Sequence, residues 1–459
     1  MVLGGYHTPP QGQGQTSADW EHISHKSERG DGMADYLGLV YLKNKLKIKE
    51  NRVKLRYRYY EMKEETRDKG LLTPAWLKGM YKSTIGWCAK GVDTLADRLV
   101  FKGFEENGDY FGMNQIFQMN NPDIFFDSAI KESLIGACSF IHITHGEGEE
   151  KTPRLSVLTA KDATGVIDEF SGLLKEGYSV LDRDKDGVPI LEAYYTPEGT
   201  QYYAYGKEID FESNPARYPL LVPVVFKPDS ERPFGHSRIS RACMYYQQFA
   251  QNTMERAEVS AEFYSFPQKY ISGLDPEADP MDSWKASLSS FLSFTKDEDG
   301  DKPTVGQFTQ QSMNPYIEQL RMAAAMFSGE TGLTLDDLGF VTDNPSSAEA
   351  IKAAHENLRL IARKAQRTYG TAFANVGYVA ASLRDEMPYS RELLTECKPI
   401  WEPVFEPDAA MLSNIGDGAI KLNQAVPNYI NTDNLRKLTG IEASEEVVEV
   451  EPLEEGIEE

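Results

Sequence analysis

Few residues in this chain have the type and spacing that chemistry needs. Asp182-Arg-Asp-Lys-Asp186-Gly187 opens like a calcium-binding loop, with carboxylates at alternate positions and glycine at the sixth. Such a loop also needs a bidentate Glu at its twelfth position, which here is Ala193, with Glu192 one residue early. The run lies between two strand patterns, so a β-hairpin turn closing on Asp-Gly is the better reading. His142 and His145 stand three apart on a strand pattern, which puts them on opposite faces and argues against a shared metal. His236 and His355 stand alone on helical patterns and read as surface residues. Cys88, Cys138, Cys243 and Cys397 are scattered and form no Cys-x-x-Cys pair; they read as reduced packing thiols of a cytosolic protein. The sequence has no phosphate-binding Gly-x-x-x-x-Gly-Lys-Ser/Thr, no Gly-x-Gly-x-x-Gly after a strand and no Gly-x-Ser-x-Gly elbow. Carboxylates abound, but no spacing marks one pair as an acid and its base. No catalytic residue, metal or cofactor is therefore expected.

Elements must position whatever function remains. A length of 459 residues suggests two to four lobes, and 41% hydrophobic with 26% charged residues fits a folded globular chain. No apolar run is long enough to cross a bilayer, and the N-terminus lacks a basic-then-apolar export pattern. The net charge is −23; residues 442–459 hold nine glutamates and no Lys or Arg, leaving −14 on the rest. A protein that grips duplex DNA needs a basic face to displace counterions, so any DNA contact here suits sliding rather than holding.

Residues 1–32 are rich in Gly, Gln, Ser and His and read as a mobile arm. From 33 to 69 a helical pattern places Leu39, Leu42, Leu46, Val53, Tyr57 and Tyr60 on one side. Its other face is basic: Lys43, Lys45, Lys47, Lys49, Arg52, Lys54, Arg56 and Arg58. That face is either a nucleic-acid or partner surface or the solvated side of an outer helix, and the second reading is preferred. Helical patterns follow at 74–98 and 123–137, then short strands at 139–144, 154–158, 178–181, 189–195 and 201–205. The second half changes character. Residues 237–263 form a long helical pattern without Pro or Gly, with Ile239, Ala242, Tyr246, Phe249, Thr253 and Ala257 as its packing stripe. Residues 264–313 are irregular. Helix resumes at Asn314-Pro315, read as an Asn cap with Pro in the first turn. A polar loop at 332–345 follows, and Ser346-Ser-Ala-Glu349 forms a capping box opening a helix over 346–385, on the order of 60 Å long. Its apolar stripe is Ile351, Ala354, Leu358, Ile361, Ala365, Tyr369, Phe373, Val376 and Leu383, with Gly370 and Gly377 permitting a bend. Short helical signals at 408–424 and 431–438 precede the acidic tail.

Long helix, irregular insertion, returning helix, acidic loop and very long helix, in that order, resemble tailed-bacteriophage portal proteins of the long-tailed, siphophage-like type. The local text is similar too: Arg232-Pro-Phe-Gly-His-Ser-Arg-Ile239 entering the first helix, Glu262-Phe-Tyr-Ser-Phe-Pro-Gln268 leaving it, and Asn344-Pro-Ser-Ser-Ala-Glu-Ala350 opening the last. The strand-rich region with Ala193-Tyr-Tyr-Thr-Pro-Glu198 resembles the family's wing, and the likeness covers about 33–440. It implies an α+β portal fold: a mixed α/β wing over 33–236, a two-helix stem at 237–263 and 314–331, and a small clip at 264–313. A tunnel loop at 332–345, a spine helix at 346–385 and a short helical crown at 386–441 complete it. The arm and the tail match nothing in the family.

The resemblance further implies a non-enzymatic ring of twelve copies at one capsid vertex, a channel for DNA packaging and ejection. Its partners would be double-stranded DNA, the terminase large subunit, head-completion or adaptor proteins, and the major capsid and scaffolding proteins, with no membrane. It would sit in the virion, and in the host cytoplasm during assembly. Asp336, Asp337 and Asp343 would recur as acidic rings that do not hold the phosphate backbone. Lys352, Arg359 and Arg363 would make brief phosphate contacts or pair with acidic neighbours in the ring; both readings stand. Arg238, Arg241, Glu255 and Arg256 fall in or beside the stem, and Asp297, Asp299 and Asp301 in the clip. Two rival readings are another virion assembly subunit and an α+β hydrolase with an unmarked carboxylate pair.

Overall fold

A computed structural model of the chain describes residues 36–66, 82–105, 108–146, 151–265, 269–272, 304–307, 312–340, 353–405 and 409–441. The expected arm at 1–32, the capping box at 346–349, most of the expected clip and the acidic tail lie outside those residues. The elements below all fall within one unit, Leu37–Glu459.

Helix α1 (Leu39–Tyr60) starts after Gly38, which takes φ 85°. Of the expected helix over 74–98, the described part contains α2 (Trp87–Ala96). Strand β1 (Phe101–Phe104) and the short α3 (Met113–Met119) went unpredicted because neither is long enough to show a period. Helix α4 (Pro122–Gly136) opens on a proline whose missing N–H costs nothing in a first turn.

The described strands form four antiparallel sheets, the two larger of which lie in this region. A three-stranded sheet has the order β3 (Arg154–Thr159), β2 (Cys138–Thr144), β9 (Leu221–Val225). Pro223 lies within β9 and is tolerated because β9 is an edge strand. A five-stranded meander runs β4 (Ala163–Ile167), β5 (Leu174–Arg183), β6 (Pro189–Tyr195), β7 (Gly199–Ala204), β8 (Lys207–Ser213). Asp182–Gly187 makes the β5–β6 turn, as its spacing predicts. Asp184 Oδ1 accepts from the amides of Asp186 (3.0 Å) and Val188 (2.7 Å), and Gly187 takes φ 82°. Strands β4, β8 and β9 are the additions to the expected set in these two sheets; β8 is a charged, exposed edge strand in which only Ile209 and Phe211 alternate, too short a repeat to mark it in sequence.

The second half supplies α5 (Arg241–Ser265), strands β10 (Lys269–Ser272) and β11 (Thr304–Gln307), and α6 (Asn314–Thr331). Met313, not Asn314, occupies the cap position of α6. Helix α7 (Glu356–Arg384), roughly 44 Å long, ends the stretch. Strand β12 (Pro399–Trp401) then returns to pair with β1, and α8 (Ala409–Ala425) and α9 (Thr432–Thr439) follow.

The main core wraps the second half of α7. Tyr369, Phe373, Val376, Tyr378, Val379 and Leu383 are buried, with α3, β9 and β12 around them. The Phe101 ring centroid lies 4.7–5.0 Å from those of Phe126, Phe373 and Trp401, and Phe126 lies 4.8 Å from Phe373. Gly370 serves close approach rather than the expected bend: a Cβ there would lie 2.7 Å from Pro399 Cγ, so glycine lets β12 lie against α7. Ala354, expected on the packed stripe, is exposed, and Ala362 is buried in its place. The four cysteines are all buried.

Candidate functional site: the helix hairpin and the loop that follows it

Helices α5 and α6 lie antiparallel. Ser240, just before α5, donates to Glu330 near the end of α6 (2.8 Å), while Ser260 Oγ meets the Tyr316 hydroxyl at the start of α6 (2.8 Å). Strands β10 and β11 pair from Lys269↔Gln307 to Ser272↔Thr304 and close the far end. The described part of 264–313 therefore includes a helix extension and an antiparallel pair of strands, while Asp297, Asp299 and Asp301 lie outside the described residues.

The near end is anchored by residues that read as surface in the sequence. Gln247, Gln248 and Gln251 are buried beside Thr253, the last of which the packing stripe had predicted. Gln247 Oε1 accepts from the Cys88 amide (2.8 Å), capping the first turn of α2, and Ser83 Oγ donates to the Gln251 carbonyl (2.8 Å). Glu255 accepts from the Ser83 amide (3.4 Å) and from Thr66 Oγ1. A Gln run at helical spacing was the available signal, and it points to a buried polar seam only once the partners are known.

Arg238 is not a stem surface residue. It precedes α5 and is buried, its Nε donating to the Gly91 carbonyl (3.2 Å) and its Nη2 to that of Thr331. The Arg232–Ile239 segment is shaped for this. Asp229 accepts from the amides of Glu231 (3.0 Å) and Arg232 (2.7 Å), and His236 Nε2 lies 2.5 Å from its carboxylate. The His236 bond holds the Asp229 carboxyl below its ordinary range. Gly235 has φ 69°, and a Cβ there would sit 2.1 Å from the Phe226 carbonyl oxygen. Arg241 and Arg256, by contrast, are exposed on α5.

The loop after α6 divides. Gly332 terminates the helix at φ 71°, and a Cβ on it would lie 3.3 Å from Asn357 Cβ, so the loop returns close to where it left. Residues 333–340 are folded down rather than projecting. Leu333 and Leu338 are buried, and the Phe340 ring lies 6.4 Å from Trp87. Asp337 is spent on its own turn, accepting from the Thr334 amide (2.8 Å) and hydroxyl (2.9 Å). Asp336 is exposed. Asp343 and Lys352 lie outside the described residues.

On α7, Arg359 is held by Glu356 through a fork of 2.7 Å and 2.6 Å. Arg363, Lys364 and Arg367 are exposed on the next turns, with no carboxylate ion pair among the described residues. Lys227 is half-buried, and its ammonium is lowered from the ordinary lysine range by burial and then by the charges of Arg238 and Lys364. Lys364 and Arg367 went unremarked in the sequence because they sit among polar residues on no recognisable motif.

Elsewhere, His142 on β2 is buried against the Tyr195 ring at 5.5 Å, and His145, just past the end of that strand, lies 3.4 Å from Glu212. No group of three His, Cys, Asp or Glu among the described residues could hold a metal ion. No helix among them is long and apolar enough to cross a membrane.

Comparison with known proteins bears out the portal resemblance. No family model matches the sequence. The chain is 24% identical over 408 residues to a portal protein of Mycobacterium phage D29, covering 84% of this chain and 82% of that one. It is 25% identical over 386 residues to a portal protein of Mycobacterium phage L5, covering 79% and 77%. Among solved structures, the neck of a native GTA particle computed with C12 symmetry aligns at TM-score 0.43 and 11% identity, over 78% of this chain and 90% of that one. The neck of an empty GTA particle computed with C6 symmetry aligns at TM-score 0.41 and 12% identity, with the same coverage. Likeness at that level adds nothing to the fold described above.

Proposed function

We infer that this chain is a portal protein of a tailed bacteriophage, a virion subunit through whose assembled ring DNA enters and leaves the capsid. The observation that carries this is the alignment with two phage portal proteins over most of both chains.

Twelve copies form a closed ring by a head-to-tail contact repeated around one axis. The α5–α6 hairpin is the stem, β10–β11 belongs to the clip that meets the terminase and later the adaptor proteins, and α7 is the spine. Ile317, Met322 and Met326 on α6 and Tyr245 on α5 are exposed apolar side chains and face the neighbouring subunit. Asp336 faces the channel and keeps the phosphate backbone from settling. Arg363, with Lys364 and Arg367 beside it, makes transient phosphate contacts; Arg359, already neutralised by Glu356, does not. The chain hydrolyses nothing itself.

Native mass with negative-stain imaging at micromolar concentration tests the reading. A ring of twelve 51.6 kDa subunits weighs roughly 620 kDa and shows a central hole. A small, compact oligomer that stays so in the presence of capsid and scaffolding proteins would overturn it.

A further inference from the structure

The five-stranded sheet has two unlike faces. Ala193, Tyr195 and Tyr202 turn toward the main core, whereas Tyr178, Val180, Tyr194, Val166 and Tyr203 form a separate small cluster with Leu39, Leu42 and Leu46 of α1. Alternation along the strands places Glu176 and Glu192 on that second face, where both are buried. The first part of α1 covers it through polar contacts. Glu176 accepts from the amides of Leu37 (2.9 Å) and Gly38 (3.1 Å) and from the Tyr194 hydroxyl (2.8 Å). Glu192 accepts from Lys43 Nζ (2.8 Å) and from the Tyr178 hydroxyl. Lys45 Nζ donates to the Gly165 carbonyl (2.7 Å), and the Lys43 ammonium lies 5.6 Å from the Tyr178 ring centroid.

Beyond Leu46 the helix emerges. Lys47, Ile48, Lys49, Asn51 and Arg52 are exposed, Ile48 by 77%, before Val53, Tyr57 and Tyr59 enter the main core. The helix therefore bridges two cores; the leucines of its first two turns pack in the smaller, and only Lys45, whose ammonium lies 5.0 Å from the Phe234 ring centroid, reaches the edge of the main one. Both surfaces at this contact mix polar and apolar groups: lysines with leucines on the helix, tyrosines and valines with carboxylates on the sheet. That composition belongs to reversible interfaces rather than to a domain core. The Lys43–Glu192 ion pair is only partly buried, its lysine side chain being 35% exposed, so it adds little to holding the two together.

We propose that residues 37–46 are a strap that opens as a unit, leaving the rest of the fold intact, and that the uncovered acidic, tyrosine-rich face of β5–β7 receives a basic amphipathic helix from a partner protein. The strap itself shows the chemistry that fits: an N-terminal turn offering free amides to Glu176, a lysine reaching Glu192, and two leucines four residues apart. In the closed state the chain occupies its own site.

Hydrogen exchange on the intact protein tests the opening without any variant. Amides of Leu42–Leu46 exchange at least about tenfold faster than those of Val53–Tyr60, because they open locally. Glu192→Gln raises the first rates and leaves the second unchanged. The docking face is tested with a fluorescent peptide of residues 37–50 added to the full-length Leu42→Asp protein, whose sheet amides first establish that it is folded. One peptide binds per chain, and a further Glu192→Lys change abolishes binding. Exchange of 42–46 in step with 53–60 would overturn the strap. Failure of the peptide to bind folded Leu42→Asp would overturn the docking site.

Discussion

Arg238 and Thr331 lie 93 residues apart, yet the guanidinium of the first donates to the backbone carbonyl of the second. Because Thr331 is the last residue of α6 and Arg238 immediately precedes α5, one side chain closes the base of the helix hairpin. Its Nε also reaches Gly91, so the same group fastens the hairpin to α2. Replacing Arg238 with Met fills similar volume but strands two buried carbonyls. The expected loss is about 2–3 kcal/mol of unfolding free energy, read as a lower urea midpoint. Lys, which keeps the charge but not the fork, falls between the two. An unchanged midpoint for the Met variant would show that the clamp is dispensable.

His142 gives a pH dependence of defined sign. Burial lowers its imidazole from the ordinary 6.5 to about 4, so the fold holds it neutral while the unfolded chain takes up a proton below 6.5. Stability from this site is complete above pH 6.5 and is lost as pH falls toward 4, by on the order of 3 kcal/mol across that window. His142→Phe keeps the ring against Tyr195 and removes the titration. Urea midpoints at pH 7 and pH 4.5 should therefore differ less in the variant than in the parent; equal slopes would place the acid sensitivity elsewhere.

Ala362 of α7 and Ala354, two residues ahead of that helix, separate folding from assembly. Ala362 is fully buried, so Ala362→Trp overpacks the core and costs about 1–3 kcal/mol or more in unfolding free energy. Ala354 is exposed, and Ala354→Trp should leave that energy within about 0.5 kcal/mol. If Ala354→Trp nonetheless prevents ring formation on native mass measurement, its side of the helix meets the neighbouring subunit.

These positions also show where the sequence could be read and where it could not. Long periodic helices such as α1, α5 and α7 were legible because an apolar repeat survives over many turns. The Asp184–Gly187 turn was legible because its chemistry is local. Ala354 was misplaced because alanine fits a packed or an exposed position equally well, so only its tertiary neighbours decide. Gln247 and Gln251 read as solvated, since nothing local shows that Cys88 and Ser83 will meet them. The basic side of α1 was read as an outer face, yet Lys43, Lys45 and Arg56 turn inward, Arg56 onto the Gly136 carbonyl at 3.0 Å. Lysine stems lie readily along apolar surface, and a helical wheel does not reveal a carboxylate on a strand 149 residues away.

The neighbouring carboxylates of Asp336 and Asp337 have opposite fates, and this separates fold from function in the loop. Asp337 caps its own turn through Thr334, so Asp337→Ala should lower thermal stability by about 1 kcal/mol. Asp336 is exposed and makes no such bond, so Asp336→Lys should leave the midpoint unchanged. In the assembled ring it places a cation where an anion stood, repeated in every subunit. Affinity for double-stranded DNA should then rise, and the fall of log K with log salt should steepen, as each phosphate neutralised adds about 0.9 to the slope. Deleting 334–343 as a block would confuse the two effects, because it also removes the buried Leu338. Titration of Asp336→Lys rings with a DNA duplex at several salt concentrations gives the answer: an unchanged slope would mean that Asp336 does not face the DNA path.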